Sequence, residues 1–167
     1  MSRGSEQVLA IYRRALPRVY GYLLPRCGNT ALAEDLTAET FLAAVAAAGE
    51  PAAPEVSVGW LIGVARHKLV DHWRRAGREQ RALTAGDLGD EAVDDPWDEV
   101  VDTSAAYSAL ARLPGQQRAA LTLRYLDDLP VAEVAAHLGR SLHATETLLV
   151  RARAALRRVY EEERDDG

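Results

Sequence analysis

Two short helical patterns joined by a tight turn constrain the fold of this chain most. They lie in VAEVAAHLGRSLHATETLLVRARAALRR, residues 131–158. Ala135 is small where two helices must cross closely, Gly139 can adopt the left-handed conformation that the turn needs, and Ser141 can cap the second helix. The segment therefore predicts a helix-turn-helix, although any helical hairpin with glycine at its turn gives a similar pattern.

The second helix of this segment has two contrasting sides. Residues at spacings of three and four are predicted to face the core: Leu142, Thr145, Leu149, Ala152 and Leu156. The other side carries His143, Ala144, Glu146, Thr147, Val150, Arg151, Arg153 and Arg157. Such a helix fits the major groove of B-DNA and its arginines suit phosphate contacts, although basic residues near a helix C-terminus also complement the helix dipole.

The rest of the chain also favours helices, because Ala, Leu and Val dominate its apolar residues and aromatic residues make up only 6%. The fold class predicted is all-α. Further helices are predicted over residues 6–26, 31–49, 57–75, 104–112 and 115–126. Pro17 is predicted to kink or split the first of these. Its predicted buried stripe is Val8, Leu9, Tyr12, Leu16, Val19, Tyr20 and Leu23.

Charge divides the chain into blocks, although the net charge is only -5. Residues 1–78 hold 10 basic and 7 acidic residues. Residues 79–103 hold 1 basic and 9 acidic residues, and residues 104–167 hold 9 of each. The acids, Gly and Pro of the middle block leave too little apolar periodicity for a packed element. The predicted layout is two small helical domains, 5–78 and 104–160, joined by a flexible acidic linker, 79–103, and followed by an acidic tail, 161–167.

Cysteine and histidine content excludes several kinds of site. Cys27 is the only cysteine, so an intramolecular disulfide is impossible, and the four histidines lack metal-ligand spacing. No phosphate-binding glycine loop or HExxH motif occurs, so we expect neither an enzyme nor a bound cofactor or metal. The charged N-terminus is unlike a signal peptide and no stretch approaches about 20 apolar residues, which predicts a soluble cytoplasmic protein.

Three longer motifs occur in a fixed order along the chain. AEDLTAETF resembles region 2.2 of sigma-70 family factors, and WLIGVARHKLVDHWRR resembles regions 2.3 and 2.4. LARLPGQQRAALTLRYLDDLPVAEVAAHLGRSLHATETLLVRARAALRR is similar to region 4. With a short linker and no intervening domain, the layout is similar to the extracytoplasmic-function (ECF) group of RNA polymerase sigma factors. The resemblance covers residues 5–160.

The resemblance implies a transcription initiation factor that binds core RNA polymerase, recognises the −10 and −35 promoter elements and promotes DNA opening. Its implied partners are the clamp helices of the largest polymerase subunit, the polymerase flap, promoter DNA and an anti-sigma factor, and the free protein is expected to be a monomer. The implied polymerase-binding residues are Glu34, Asp35, Leu36, Glu39, Thr40 and Phe41. Leu36 and Phe41 are equally compatible with a core position, since large apolar residues are usually buried.

Regions 2.3 and 2.4 of the family melt the −10 element and hold its extruded bases, which requires planar side chains beside cations. The candidates here are His67, Lys68, His72, Trp73, Arg74, Arg75 and Arg78. A helix with 3.6 residues per turn cannot expose all of them at once, and Trp60 of the WL motif is expected to be structural. The preceding loop, GEPAAPEVSVG, has no basic or aromatic residue, unlike a base-selecting loop.

The implied −35 residues are Ser141, His143, Ala144, Glu146, Thr147, Leu148, Arg151, Arg153 and Arg157. Family members often have Thr, Lys and Arg at the positions of Ala144, Glu146 and Leu148. Glu146 can accept a hydrogen bond from cytosine N4, and Leu148 can contact a thymine methyl. Leu148 can equally belong to the core of the domain.

Two other classes of function remain open. A helix-turn-helix regulator that binds operator DNA alone would explain only the C-terminal half, and it should bind duplex DNA without polymerase. A sigma-like protein that merely occupies a partner would bind polymerase without stimulating transcription.

Overall fold

The computed structural model describes residues 3–52, 55–83 and 103–166, and every regular element in these ranges is helical. The helices are α1 (Arg3–Cys27), α2 (Thr30–Ala48), α3 (Val58–Leu83), α4 (Thr103–Ala111), α5 (Gly115–Leu121), α6 (Val131–Leu138) and α7 (Leu142–Asp165). A π-helical turn, Thr122–Leu126, directly follows α5. The chain divides into two compact units, residues 1–69 and 70–167. The all-α prediction is confirmed.

Helices α1, α3 and α7 depart most from the sequence prediction. Helix α1 runs without interruption through Pro17 and Pro25, so a split at Pro17 is wrong. Pro17 is exposed, and a carbonyl that loses its partner on the solvent side of a helix can bond water instead. Helix α3 continues to Leu83, so residues 79–83 are helical and not linker, and residues 84–102 of the predicted linker lie outside the described residues.

Helix α7 extends to Asp165 and includes most of the predicted acidic tail. Its last turns contact α4: Arg112 pairs with Glu162 at 3.3 Å and with Glu163 at 3.6 Å, and Ser108 Oγ donates to Glu163 Oε1 at 3.3 Å. Exposed pairs of this kind contribute only about 0–1 kcal/mol each. The sequence pattern did not predict the extension because these partners are about 50 residues away along the chain.

The first unit is built on the packing of α1 against α2. Asn29 caps α2, because its Oδ1 accepts from the backbone N–H of Leu32 at 3.0 Å. Val8, Val19 and Leu23 of the predicted α1 stripe are buried. Leu9 and Tyr12 are exposed, so their prediction as core residues is wrong. An apolar stripe of seven residues is wider than the face that one neighbouring helix covers.

Gly4 marks the closest approach of α1 to α2. A Cβ atom at this position would collide with the backbone carbonyl of Ala48. We expect Gly4→Ala to lower the free energy of unfolding of the first unit by about 1–3 kcal/mol, measured by urea denaturation. Gly21→Ala in the same helix meets no atom within 4 Å and is the matched control; it should stabilise by about 0.5–1 kcal/mol. Equal effects of the two changes would contradict the close crossing.

The second unit contains the helix-turn-helix, and the roles predicted for its turn residues are confirmed. Gly139 ends α6 in the left-handed region with φ 63°, and Arg140 N–H bonds to the Ala135 carbonyl at 3.1 Å. Together with the Gly139 N–H bond to the Ala136 carbonyl, this is a Schellman motif. Ala135 is buried at the crossing, and Ser141 Oγ accepts from Ala144 N–H at 3.1 Å to cap α7.

Candidate functional site

The start of α7 presents a mixed surface. Ser141, Leu142, His143 and Glu146 are exposed, as is Arg157 further along the helix. Ala144, Thr147, Arg151 and Arg153 are half-buried. The Thr147 hydroxyl donates to the His143 carbonyl at 3.1 Å, and Ser141 is engaged in the cap. The side chains most open to a ligand are therefore those of Leu142, His143 and Glu146, whereas Arg157 Nε pairs with Glu161 Oε1 at 3.4 Å.

Two leucines near the start of α7 differ in exposure, and only one of them occupies a core position. Leu142 is 52% exposed, so its predicted core position is wrong, whereas Leu148 is only 8% exposed. The buried stripe of the helix starts one turn later than predicted and includes Thr145, Leu148 and Leu149. The burial of Leu148 favours its interpretation as a core residue over its interpretation as a thymine contact.

Arg153 is held by a residue that the sequence pattern did not single out. Its Nη1 donates to the Tyr125 hydroxyl at 3.0 Å. Tyr125 lies in the π-helical turn, where Asp127 N–H bonds to the Thr122 carbonyl at 3.0 Å. Such turns are frequent at functional sites in helical proteins. The turn thus connects residues 123–125, LRY in the region 4-like segment, to the middle of α7.

We expect the Tyr125–Arg153 bond to stabilise the second unit by about 0.5–1.5 kcal/mol. A double-mutant cycle with Tyr125→Phe and Arg153→Met in urea unfolding measures this coupling. Tyr107→Phe, which removes a hydroxyl from another half-buried tyrosine of the same unit, is the matched control and should show no coupling to Arg153→Met. Additive effects of Tyr125→Phe and Arg153→Met would contradict the bond.

The predicted −10 residues lie along α3 but differ widely in exposure. His67 and Arg75 are exposed, whereas Lys68, His72 and Arg74 are half-buried. Trp73 is 3% exposed, so its ring is not open to a base in this conformation. Its indole N–H is buried without a hydrogen-bond partner within the described chain. The side chain of Arg78 lies outside the described residues.

The predicted base-binding helix begins at a capped turn. Ser57 Oγ accepts from the backbone N–H of Trp60 at 3.1 Å, at the start of α3. Trp60 itself is half-buried, as expected for a structural role. The WL motif therefore lies in the first turns of the helix that carries the −10 candidates.

The predicted polymerase-binding residues divide into two groups on α2. Glu34, Asp35 and Glu39 are exposed. Leu36, Thr40 and Phe41 are buried, and the Thr40 hydroxyl donates to the Leu36 carbonyl at 2.7 Å. This burial favours the interpretation of Leu36 and Phe41 as core residues. The surface that α2 presents at these positions is acidic.

An apolar groove between α1 and α2 adjoins this acidic surface. It has a volume of about 660 Å³, and its lining includes Tyr12, Tyr20, Glu34 and Phe41. The Tyr12 and Phe41 rings meet edge to face with centroids 4.9 Å apart. The sequence did not indicate the groove because Tyr12, Leu16 and Tyr20, which line it from α1, were predicted to be buried. Helical periodicity alone does not indicate that Leu9 and Tyr12 are exposed.

Neither a metal-binding cluster nor a membrane-spanning helix occurs within residues 3–52, 55–83 and 103–166. No cluster of three His, Cys, Asp or Glu side chains there could hold a metal ion. No described helix combines the length and apolar character that a membrane span requires. Cys27, the single cysteine of the sequence, is buried.

Comparison with known families matches both units of the predicted layout. Residues 11–79 match the family model "Sigma-70 region 2", and residues 104–156 match "Sigma-70, region 4". The chain is 36% identical over 155 residues to the ECF RNA polymerase sigma factor BldN of Streptomyces coelicolor, covering 89% of this chain but only 58% of that relative. It is 35% identical to the ECF sigma factor SigF of Caulobacter vibrioides, covering 93% of this chain and 89% of SigF.

A solved structure supports the fold. The sigma factor RpoE of Bartonella quintana, in complex with the anti-sigma factor NepR, matches with a TM-score of 0.55 and 22% identity. The match covers 88% of this chain and 92% of that chain. The two region models and the near-complete match to SigF together establish the family. This chain belongs to the ECF RNA polymerase sigma factors of the sigma-70 family.

Proposed function

We propose that this chain binds core RNA polymerase and directs it to promoters by recognising −10 and −35 elements and promoting DNA opening. The observation that carries the proposal is the presence of both sigma regions in one chain, in order, with a capped helix-turn-helix in the second. A regulator that acts alone on operator DNA would account for α6 and α7 only. The sigma function is therefore preferred to that alternative.

Recognition of the −35 element is assigned to α7. N-terminal residues of a recognition helix contact base edges, which suits the exposed His143 and Glu146. Arg157 further along is exposed, and its Nε lies 3.4 Å from Glu161 Oε1; a phosphate can replace Glu161 in this weak surface ion pair. Ser141 contributes through the cap that orients the first turn. Ala144, Thr147, Arg151 and Arg153 stay in the proposed set as half-buried contributors. Leu148 is buried, and it contributes by packing in the core beneath the exposed side of α7.

Recognition of the −10 element is assigned to α3. The exposed His67 and Arg75 offer a planar ring and a guanidinium, and Lys68, His72 and Arg74 are partly accessible beside them. Stacking by Trp73 would require its ring to become exposed on binding. Because the protein binds the open form of the promoter, it shifts the equilibrium from closed to open DNA. Opening therefore needs no catalytic residue, and the proposed function is not enzymatic.

Polymerase binding is assigned to the acidic surface of α2 formed by Glu34, Asp35 and Glu39. Exposed charges of one sign favour a specific and reversible interface with a basic partner surface. The proposed partners are the clamp helices and the flap of the polymerase. The proposed location is therefore the cytoplasm, where the polymerase acts, and the free protein is proposed to be a monomer. An anti-sigma factor that covers the same surface is the proposed negative regulator.

Promoter opening provides a direct test of the α3 assignment. Permanganate oxidises unpaired thymines, and it should report opening around the −10 element only when the protein joins core polymerase. Arg75→Ala should reduce the open fraction about fivefold at subsaturating holoenzyme, since one lost contact is worth about 1 kcal/mol. Arg14→Ala, an exposed arginine of α1, is the matched control and should behave like the wild type. Full opening by Arg75→Ala would contradict the assignment of Arg75.

A further inference from the structure

Leu142 is exposed where a buried residue was predicted. Four large apolar side chains of the described residues are exposed, and Leu142 is the one that lies in residues 103–166. It is the first residue of α7, directly after the Ser141 cap. The cap fixes the backbone of this turn, so Leu142 is held at the tip of the proposed recognition helix.

The position of Leu142 matches a known mode of base reading. The first residues of a recognition helix contact base edges in the major groove. An aliphatic side chain forms no hydrogen bonds, and the apolar group that a base presents in this groove is the C5-methyl of thymine. Leu148, the other leucine considered for this contact, is buried. The exposed methyl groups of Leu142 are therefore available for the thymine contact that was one of the two interpretations of Leu148.

Glu146 extends the same surface by one helical turn. Residues four apart on a helix have Cβ atoms about 5–6 Å apart, and bases along one strand are spaced by about 3.4 Å. A carboxylate is repelled by phosphates but can accept a hydrogen bond from the N4 amino group of cytosine. Leu142 and Glu146 can thus reach base pairs that are one or two steps apart.

We propose that Leu142 contacts a thymine methyl of the −35 element while Glu146 accepts from a cytosine one or two base pairs away. The inference rests on the proposed sigma function and specifies the bases that α7 selects. It makes Leu142 a specificity-determining residue of promoter recognition. A promoter read by this chain accordingly contains a thymine and a cytosine, close together, in its −35 element.

Single deoxyuridine substitutions test the thymine contact, because uracil differs from thymine only by the methyl group. Starting from a promoter with protein-dependent initiation, each −35 thymine is replaced in turn, and holoenzyme binding is measured by competition. One substitution should weaken wild-type binding about three- to fivefold, the equivalent of one buried methyl group. Holoenzyme with the Leu142→Ala variant should bind the unsubstituted promoter more weakly than wild-type holoenzyme, by the same factor. Replacing the thymine by uracil should cause no further loss of its affinity.

Controls separate this inference from the proposed function. Leu9→Ala removes an exposed leucine of α1 and should retain the wild-type uracil penalty. Glu146→Ala should lose discrimination at a cytosine within two base pairs of the sensitive thymine. Equal uracil penalties in the wild type and Leu142→Ala would overturn the inference while initiation itself persists. Absence of initiation with the wild-type protein at every promoter would overturn the proposed function and the inference together.

Discussion

Initiation at a cognate promoter is expected to fall at least tenfold when Asp35 is replaced by lysine. Asp35 is exposed on α2, within the acidic surface proposed to meet the polymerase clamp helices. Reversing one charge in a complementary interface places like charges together, which costs several kcal/mol, or more than a factor of ten in binding. The readout is the amount of run-off transcript at a fixed, subsaturating concentration of the protein with core polymerase.

The structure makes Asp35 a better test than Phe41. Phe41 is buried and its ring meets that of Tyr12, so its replacement would damage the core as well as any interface. Glu6→Lys reverses an exposed acid on α1, outside the proposed interface, and is the matched control. The Asp35→Lys variant should have the circular dichroism spectrum of the folded wild type. It should be deficient in initiation under conditions in which the separate Glu6→Lys variant is active. Normal initiation by Asp35→Lys would contradict the placement of the polymerase contact on α2.

Leu149→Ala is expected to lower the free energy of unfolding of the second unit by about 2–5 kcal/mol. Leu149 is 2% exposed in the middle of α7, and its loss leaves a cavity beneath the proposed recognition helix. Leu142→Ala makes the same chemical change seven residues earlier in the same helix, at an exposed site. It should alter the free energy of unfolding by no more than about 0.5 kcal/mol.

Urea denaturation followed by circular dichroism measures both variants. The comparison tests the rotation of α7, because the apolar spacing alone placed both leucines in the core. A loss for Leu142→Ala as large as that for Leu149→Ala would contradict the exposure of the helix tip. A weakening of promoter binding by Leu142→Ala of about three- to fivefold, without loss of stability, would agree with its proposed role in base reading.

Local chemistry explains what the sequence predicted well. Gly139 and Ser141 determine the turn through a left-handed backbone and a side-chain cap, and neither effect depends on distant residues. The motif order then identified the family, because three motifs together are far more specific than one.

Tertiary packing explains what the sequence did not predict. Periodicity gives the apolar side of a helix but not how much of it a neighbour covers, so Leu9 and Leu142 were wrongly placed in the core. Arg112 pairs with the last turns of α7, and Tyr125 accepts from Arg153; in both cases the partners lie far apart along the chain. The burial of Trp73 is likewise a property of packing and not of its motif.

Run-off transcription from a genomic promoter library, with core RNA polymerase and with or without this protein, tests the central claim most directly. The sigma function predicts specific transcripts that appear only when the protein is present and that share a −10 and a −35 element. No protein-dependent transcript, combined with salt-sensitive binding of the protein alone to duplex DNA, would contradict it and identify a regulator that acts on operator DNA without polymerase.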